Sequence, residues 1–297
     1  MNNVKEIAAG IIAGDFKSLA RGISWVENEV AGYQHLLHIT PTHKCAVTGI
    51  TGPPGAGKST LVDALITVWV AAGKKVGVLC VDPSSPFNLG ALLGDRIRMS
   101  EWYNHPNVYI RSLASRGALG GLHTHILEIT QLMSVAGFDE IIVETVGVGQ
   151  SEIEIAGLAD STVVVLVPEA GDEVQTMKAG LMEIADIFVV NKADRAGAKS
   201  FVNHLKKLNI HQEKNISVLE TVADKNIGIK ELLNVVNDFK TTKSSKKSYL
   251  YSEKAYKLIQ EHRMKSIDKE KLQQEIAEAI QLSDFNLYQY IEKFKNS

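Results

Sequence analysis

The chain has 297 residues, of which 45% are hydrophobic and 22% charged, and its formal net charge is −2. This length supports a full-sized core in one or two domains, and the near-neutral charge argues against a general nucleic-acid or membrane-surface binder. Two cysteines in apolar runs argue against a disulfide scaffold or a cysteine-based zinc site, and we expect a cytoplasmic protein because no secretory signal and no membrane-spanning stretch stand out.

Residues 3–37 show helical spacing of apolar side chains, which predicts an N-terminal helical extension over 1–42. Over 43–240, strand and helix patterns alternate. The predicted strands lie at 45–50, 76–81, 108–110, 140–144, 162–167, 187–190 and 216–219, and most of them are continuous β-branched runs. The helical patterns between them include 59–72, 122–136, 173–184 and 198–208. Such runs are typical of strands covered on both faces, so the pattern predicts an α/β fold with a doubly wound, mostly parallel sheet.

The polar run 240–248 is predicted to be a linker, and we prefer a solvated hinge to a basic anion-binding patch because the run contains no aromatic residue. Beyond it, residues 252–297 return to helical spacing, which predicts a C-terminal arm of two or three helices over 249–297.

A phosphate-binding loop is the strongest motif. The segment 52–59 matches G-x-x-x-x-G-K-[ST], follows an apolar strand and opens a helix. Its backbone N–H groups would surround phosphate oxygens, Lys58 would reach the β- and γ-phosphates, and Ser59 would supply a hydroxyl to Mg²⁺. A Gly-rich turn of purely structural use is the alternative. The expected nucleotide contacts are Gly52, Pro53, Pro54, Gly55, Ala56, Gly57, Lys58, Ser59 and Thr60.

A second motif favours guanine. Asn191, Lys192 and Asp194 form an N-K-x-D pattern directly after the predicted strand 187–190. The Asp194 carboxylate could accept both the ring N1–H and the exocyclic amine of guanine, a donor pair that adenine lacks. Lys192 could lie along the base, and Asn191 could brace the loop. A further backbone contact to the base is expected from Thr221, Val222 and Ala223.

Acidic residues follow two of the predicted buried strands. Asp82 comes after 76–81 and Glu144 ends 140–144, where carboxylates at the edge of a parallel sheet would organise Mg²⁺. Asp95 is a candidate switch acid, Gly147 is placed to sense the γ-phosphate, and Gln150 is a further candidate catalytic residue. The alternatives are that Asp82 initiates a turn and that Asp95 is a solvated loop acid.

Two histidines close together, His123 and His125, raise the alternative of a metal site. Without a third ligand at suitable spacing, we expect them to cap or flank a helix instead.

These motifs resemble the MeaB/ArgK family of P-loop GTPases, which are chaperones of adenosylcobalamin-dependent acyl-CoA mutases. The resemblance covers about residues 14–240. It rests on GITGPPGAGKST at 49–60, VDPSSPFNLGALLGDRIRM at 81–99, GALGGL at 117–122, GFDEIIVETVGVGQSE at 137–152 and EIADIFVVNKADRAGA at 183–198. It implies the fold of the signal-recognition-particle/MinD class and assigns Asp82, Asp95 and Glu144 as magnesium and switch acids.

The resemblance also implies a function. GTP and water would give GDP and phosphate, slowly alone and faster with the mutase, so that nucleotide state gates cofactor loading and protects the mutase. The implied partners are the mutase, its adenosyltransferase and a second copy of the chain through the C-terminal arm. The alternatives are a kinase linked to basic amino-acid transport, a nucleotide-gated scaffold with incidental hydrolysis, and a metal-insertion GTPase.

Overall fold

A computed structural model describes residues 2–41, 43–82, 99–114, 122–145, 151–170, 183–210, 216–239, 245–281 and 285–294. The chain divides into two compact units, Met1–Ser248 and Tyr249–Ser297.

The first unit is built on a parallel sheet. Its described strands number seven and lie in the order β3-β2-β4-β1-β5-β6-β7. Every neighbouring pair is parallel. The strands are β1 Ala46–Thr51, β2 Val76–Asp82, β3 Val108–Ala114, β4 Glu140–Thr145, β5 Ser161–Leu166, β6 Ile187–Val190 and β7 Ser217–Glu220. The predicted fold class is confirmed. The seven predicted strands are all present, and only β3 departs much from its prediction, because it continues four residues further.

Eight described helices belong wholly or mainly to the first unit. They are α1 Asn2–Ile12, α2 Phe16–Glu27, α3 Tyr33–Ile39, α4 Lys58–Ala71, α5 Ile126–Val135, α6 Ser151–Leu158, α7 Ala198–Ile210 and α8 Ile229–Phe239. Helices α6 and α8 were not predicted. Most of the predicted helix 173–184 lies outside the described residues.

The hydrophobic core lies on both faces of the sheet. On one face, Ile50 and Val163 pack with Leu61 and Leu65 of α4. On the other face, the strands β5 and β6 pack against α6 and α7. Gly49 lets α6 come close to β1, since a methyl group there would lie 2.7 Å from the Ile155 side chain. Because all strands run the same way, the loops that follow them meet at one edge of the sheet.

The three N-terminal helices pack beside β3 and α5. The Arg111 guanidinium of β3 forms an ion pair with Glu27 of α2 and donates a hydrogen bond to Ser24 Oγ at 3.1 Å. The ring of Phe16 stacks on that of Phe138, with 5.6 Å between centroids. These helices are therefore part of the first compact unit.

The second unit is helical. It contains α10 Lys269–Ile280, α11 Leu287–Ile291 and most of α9 Ser245–Arg263. Helix α9 begins within the predicted linker 240–248, so residues 245–248 are helical, whereas 240–244 lie outside the described residues. Asp268 caps α10 by accepting from the backbone N–H groups of Glu270 and Lys271. In the part of the chain that the structure describes, no helix combines the length and apolarity needed to cross a membrane.

Candidate nucleotide-binding site

The phosphate-loop segment joins β1 to α4 and depends on glycine. Gly52, Gly55 and Gly57 have positive φ angles of 140°, 77° and 86°. A methyl group at Gly52 would lie 2.1 Å from the carbonyl oxygen of Val165, and one at Gly57 would lie 2.5 Å from Asn191 Nδ2. Side chains at these two positions are therefore excluded both by backbone geometry and by space.

Lys58 begins α4 and crosses back under this loop. Its ammonium donates to the carbonyl oxygens of Gly52 at 2.9 Å and Pro53 at 3.0 Å, and the residue is only 7% exposed. A buried cation thus lies where the loop wraps tightly, next to the N-terminus of a helix. Both features attract an anion such as a phosphate group.

Ser59 and Glu144 meet at the edge of the sheet. The Ser59 hydroxyl donates to Glu144 Oε1 at 2.9 Å, and both residues are buried. A hydroxyl and a carboxylate are oxygen donors of the kind that Mg²⁺ takes, so these two residues fit the magnesium site predicted for them. Asp82 is the last residue of β2 and is thus at the same edge. Nothing is described of its side chain.

Asn191 connects three loops. Its Nδ2 donates to the carbonyl oxygen of Ala56 in the phosphate loop at 3.0 Å. Its Oδ1 accepts from Thr221 Oγ1 and from the backbone N–H of Ala223, both at 3.1 Å. The side chain is buried, with 2% of the residue exposed. One amide therefore holds the phosphate loop, the loop after β6 and the loop after β7 in a fixed arrangement.

The loop after β7 carries residues that were predicted to contact a base. Their backbone N–H groups donate within the protein: Thr221 to Val190 O at 2.9 Å, Val222 to Ile227 O at 3.1 Å, and Ala223 to Asn191 Oδ1. In this structure the three residues brace the loop. The base contact assigned to them stays a prediction.

A cavity of about 300 Å³ opens between these loops, a volume at the small end of the range for ligand sites. Lys192, with φ of 55°, spans one side of it and donates from Nζ to the carbonyl oxygen of Gly55 at 2.8 Å. The predicted phosphate-loop residue Thr60 also reaches this cavity. The lining residues are Gly57, Thr60, Asn191, Lys192, Asp194, Arg195, Ala223 and Asp224.

Two ion pairs lie at the exposed rim of the cavity. Lys225 Nζ lies 2.7 Å from Asp194 Oδ2, and Arg195 Nη1 lies 2.7 Å from Glu169 Oε1. The hydrogen bond from Lys225 lowers the pKa of the Asp194 carboxyl, and the same pair raises the pKa of Lys225. The hydrogen bond from Arg195 lowers the pKa of Glu169 in the same way. The carboxylate predicted to bind guanine is therefore held in its ionised form.

Three predicted site residues, Asp95, Gly147 and Gln150, lie outside the described residues. The two histidines considered above flank α5: His123 Nδ1 accepts from the backbone N–H of His125, whose ring lies 3.0 Å from Glu29 Oε1. Within the described ranges, no three His, Cys, Asp or Glu residues cluster in a way that could hold a metal ion.

Sequence reasoning missed Lys225 and the Glu169–Arg195 pair. Lys225 is separated from Asp194 by the whole of α7 and β7, so no local motif joins them. These ion pairs could have been anticipated only from the strand order. Parallel strands place the loops after β5, β6 and β7 next to one another, so charged residues in these loops can form ion pairs.

The parallel fold, the glycine loop around a buried lysine and the N-K-x-D loop braced against it define the class of P-loop GTPases. A sequence model of the family described as "Methylmalonyl Co-A mutase-associated GTPase MeaB" matches residues 19–281. The chain belongs to this family and is a GTPase.

Two individual proteins and one solved structure are similar to most or all of this chain. A protein of Pyrococcus horikoshii that is named as a GTPase is 46% identical over 249 residues, covering 81% of this chain and 78% of its own length. The mouse protein named "Methylmalonic aciduria type A homolog, mitochondrial" is 34% identical over 260 residues, covering 80% and 63%. A solved structure named as a LAO/AO transport system kinase is 26% identical with a TM-score of 0.70, covering 100% of this chain and 99% of that one.

Proposed function

We propose that this chain is a slow GTP-hydrolysing switch whose nucleotide state regulates an adenosylcobalamin-dependent acyl-CoA mutase. The observation that carries the nucleotide part is the pair of links between its two binding loops. Asn191 Nδ2 reaches Ala56 O at 3.0 Å, and Lys192 Nζ reaches Gly55 O at 2.8 Å. A guanine base and its phosphates would therefore enter a site whose two halves already hold each other in place.

The described residues support distinct roles in hydrolysis. Lys58 would exchange its two carbonyl partners for phosphate oxygens, and the backbone N–H groups of the glycine loop would bind the same oxygens. Ser59 and Glu144, with Asp82 and Asp95, would hold Mg²⁺, which neutralises phosphate charge when bound. Catalysis by positioning alone predicts basal turnover well below about one per second. Gln150 and Gly147 remain our candidates for orienting water and sensing the γ-phosphate.

The family description supports the mutase as the client, and the mouse relative's name points to methylmalonic acid metabolism. We propose that the GTP and GDP forms bind the mutase differently, and so time the loading of adenosylcobalamin and protect the loaded enzyme. The adenosyltransferase that supplies the cofactor and a second copy of this chain are further proposed partners, and the cytoplasm is the proposed location.

The test uses the purified chain and methylmalonyl-CoA mutase. We expect the mutase to co-elute with the protein in a nucleotide-dependent way and to raise the rate of GTP hydrolysis. The control is Asp194→Asn, which should lose both effects with GTP and regain them with XTP, because xanthine replaces the 2-amino group of guanine with a carbonyl. Equal complex formation with GTP, with GDP and without nucleotide would contradict the switch and favour a scaffold.

The name of the solved relative favours one alternative, a kinase. Asp194 argues against ATP as the donor, because adenine offers no N1–H and no 2-amino group for its carboxylate. Incubation with γ-labelled ATP and GTP distinguishes the two activities. Label recovered as inorganic phosphate from GTP supports a GTPase, whereas label transferred to a protein from ATP supports a kinase.

A further inference from the structure

We infer that Lys225 is a positioning residue for guanine recognition: by holding Asp194 Oδ2, it orients the carboxylate toward the base and sets how sharply the site selects guanine. This inference rests on the proposed binding of guanine at Asp194. It adds a residue that lies outside both nucleotide motifs.

The backbone on each side of the ion pair is fixed. Asp194 follows Ala193, whose backbone N–H donates to Thr221 O at 3.0 Å. Lys225 stands at the tip of a short turn that is closed by an antiparallel bridge between Val222 and Ile227. Because the two loops are already ordered, only the side chains lose freedom when the pair forms. The pair should therefore be more populated than an average surface ion pair.

The turn that carries Lys225 is also tied to the floor of the cavity. Ala223, two residues before Lys225, donates to Asn191 Oδ1 at 3.1 Å, and Asn191 in turn holds Ala56. The position of the turn that carries Lys225 is thus fixed by hydrogen bonds to residues of the nucleotide site. Its ammonium contacts the carboxylate at 2.7 Å from the exposed rim, and Asp194 lines the cavity.

The charges around the pair keep Asp194 ionised. The hydrogen bond from Lys225 is the largest cause of the lowered Asp194 pKa, and the positive charges of Lys225 and Arg195 add to it. The negative charge of Asp224 helps to raise the Lys225 pKa. A protonated Asp194 could not accept both donors of guanine. The ionised carboxylate is therefore the form that recognises guanine, and the ion pair with Lys225 favours that form.

Guanine presents two donors to Asp194, whereas hypoxanthine presents only N1–H. The orientation of both carboxylate oxygens matters only for the base with two donors. Removing Lys225 should therefore weaken the binding of GDP more than the binding of IDP. The ratio of the two affinities should then become smaller. A general loss of structure in this loop would weaken the binding of both nucleotides by the same factor. The ratio of the GDP and IDP affinities therefore distinguishes a positioning role from a structural one.

The experiment measures dissociation constants of GDP, IDP, XDP and ADP at neutral pH by competition with a fluorescent GDP analogue on the full chain. Lys225→Met removes the charge and keeps the length, and Lys225→Arg restores the charge. Lys206→Met on α7 is the matched control, because Lys206 is exposed and lies outside the cavity lining. Thermal unfolding of each variant without nucleotide checks that the chain is folded.

We expect Lys225→Met to weaken GDP binding about two- to fivefold at neutral pH and to affect IDP less. We also expect the ratio of the IDP to the GDP dissociation constant to fall in this variant. Lys225→Arg should restore most of the difference, and Lys206→Met should match the wild type.

Two results would overturn the inference while leaving the guanine site intact. One is wild-type GDP affinity and an unchanged GDP/IDP ratio in Lys225→Met. The other is tighter GDP binding in that variant, which would make Lys225 a competitor of the base. Failure of the proposed function looks different: the wild type would bind ADP as well as GDP, or Asp194→Asn would not shift preference toward XDP.

Discussion

Buried hydroxyl groups without hydrogen-bond partners reduce the stability of this fold at a few described positions. Thr51, Thr145 and Thr162 each bury a hydroxyl that has no hydrogen-bond partner in the part of the chain that the structure describes. We predict that Thr162→Val raises the free energy of unfolding by about 1 kcal/mol, because valine keeps the shape, suits a strand and removes an unpaired polar group. Urea unfolding measures the change.

The matched control for this prediction is Thr130→Val. The Thr130 hydroxyl is buried but donates to Ile126 O at 2.7 Å, so its removal should give no gain. A Thr162→Val chain that is less stable than the wild type would show that the hydroxyl has a partner, such as a bound water.

Substitutions at two turn glycines can distinguish the cost of backbone strain from the cost of a steric clash. Gly228 has φ of 78°, and a methyl group there would lie 2.2 Å from Glu220 O, whereas at Gly73, with φ of 77°, nothing lies within 4 Å. We predict that Gly73→Ala costs about 1–2 kcal/mol of stability, and that Gly228→Ala costs more. Because Gly228 follows the turn that carries Ala223 and Lys225, only Gly228→Ala should also weaken GDP binding. Equal effects of the two substitutions on stability and on binding would contradict this.

At the residue scale, the sequence predicts the parts of the site that lie within one motif. The 52–59 and 191–194 segments combine a strand, a turn and fixed residue types, so their chemistry can be read locally. Contacts between distant loops cannot be read in this way. The Asn191–Ala56 bond spans 135 positions and the Lys225–Asp194 pair spans 31, and both depend on strand order.

At the level of elements, an ion pair links the N-terminal helices to the sheet. The Arg111–Glu27 pair joins β3 to α2, with 26% and 8% of the side chains exposed. We predict that Glu27→Gln or Arg111→Met alone lowers stability by about 1–3 kcal/mol, because each removes one member of a partly buried ion pair. The double variant should lose less stability than the sum of the two single losses, because both single substitutions remove the same interaction.

Chemical unfolding of the four chains gives the coupling energy. Lys5→Met on α1 serves as the surface control and should stay within about 0.5 kcal/mol of the wild type. Strictly additive losses would mean that the pair contributes no coupling energy and that other contacts, such as the packing of Phe16 on Phe138, hold the N-terminal helices in place.

The sequence predicts the strands better than the helices. Most strands are continuous runs rich in β-branched residues, and this pattern can be recognised in the sequence because both faces of the sheet are covered. Helix α8 places Leu232, Leu233 and Val236 on one buried stripe and could have been recognised from that spacing. Helix α6 has no such stripe in its eight residues, so its sequence resembles a short buried segment of either type.

On the scale of the whole molecule, all described site residues lie in the first unit. The cavity lining runs from Gly57 to Asp224, and the first compact unit ends at Ser248. In the second unit, several large apolar side chains are exposed, with Tyr256 at 69%, Ile259 at 56% and Tyr288 at 77%. Exposed apolar side chains in such numbers are typical of a surface that contacts another protein, and we propose that a second copy of the chain covers them.

This division predicts that nucleotide binding and self-association are separable. A chain that ends at Ser248 should bind GDP within about twofold of the full chain, because every described residue that holds the loops is retained. Its molar mass in solution should be that of one chain, whereas the full chain should form a dimer. Ile259→Asp in the full chain should have the same effect on mass without removing any segment, because a buried unpaired charge disfavours an apolar interface. Light scattering during gel filtration measures the molar mass of both variants and of the full chain. A dimer that persists in both variants would move the interface to the first unit, and a loss of GDP binding in the shortened chain would show that the first unit needs the second to fold.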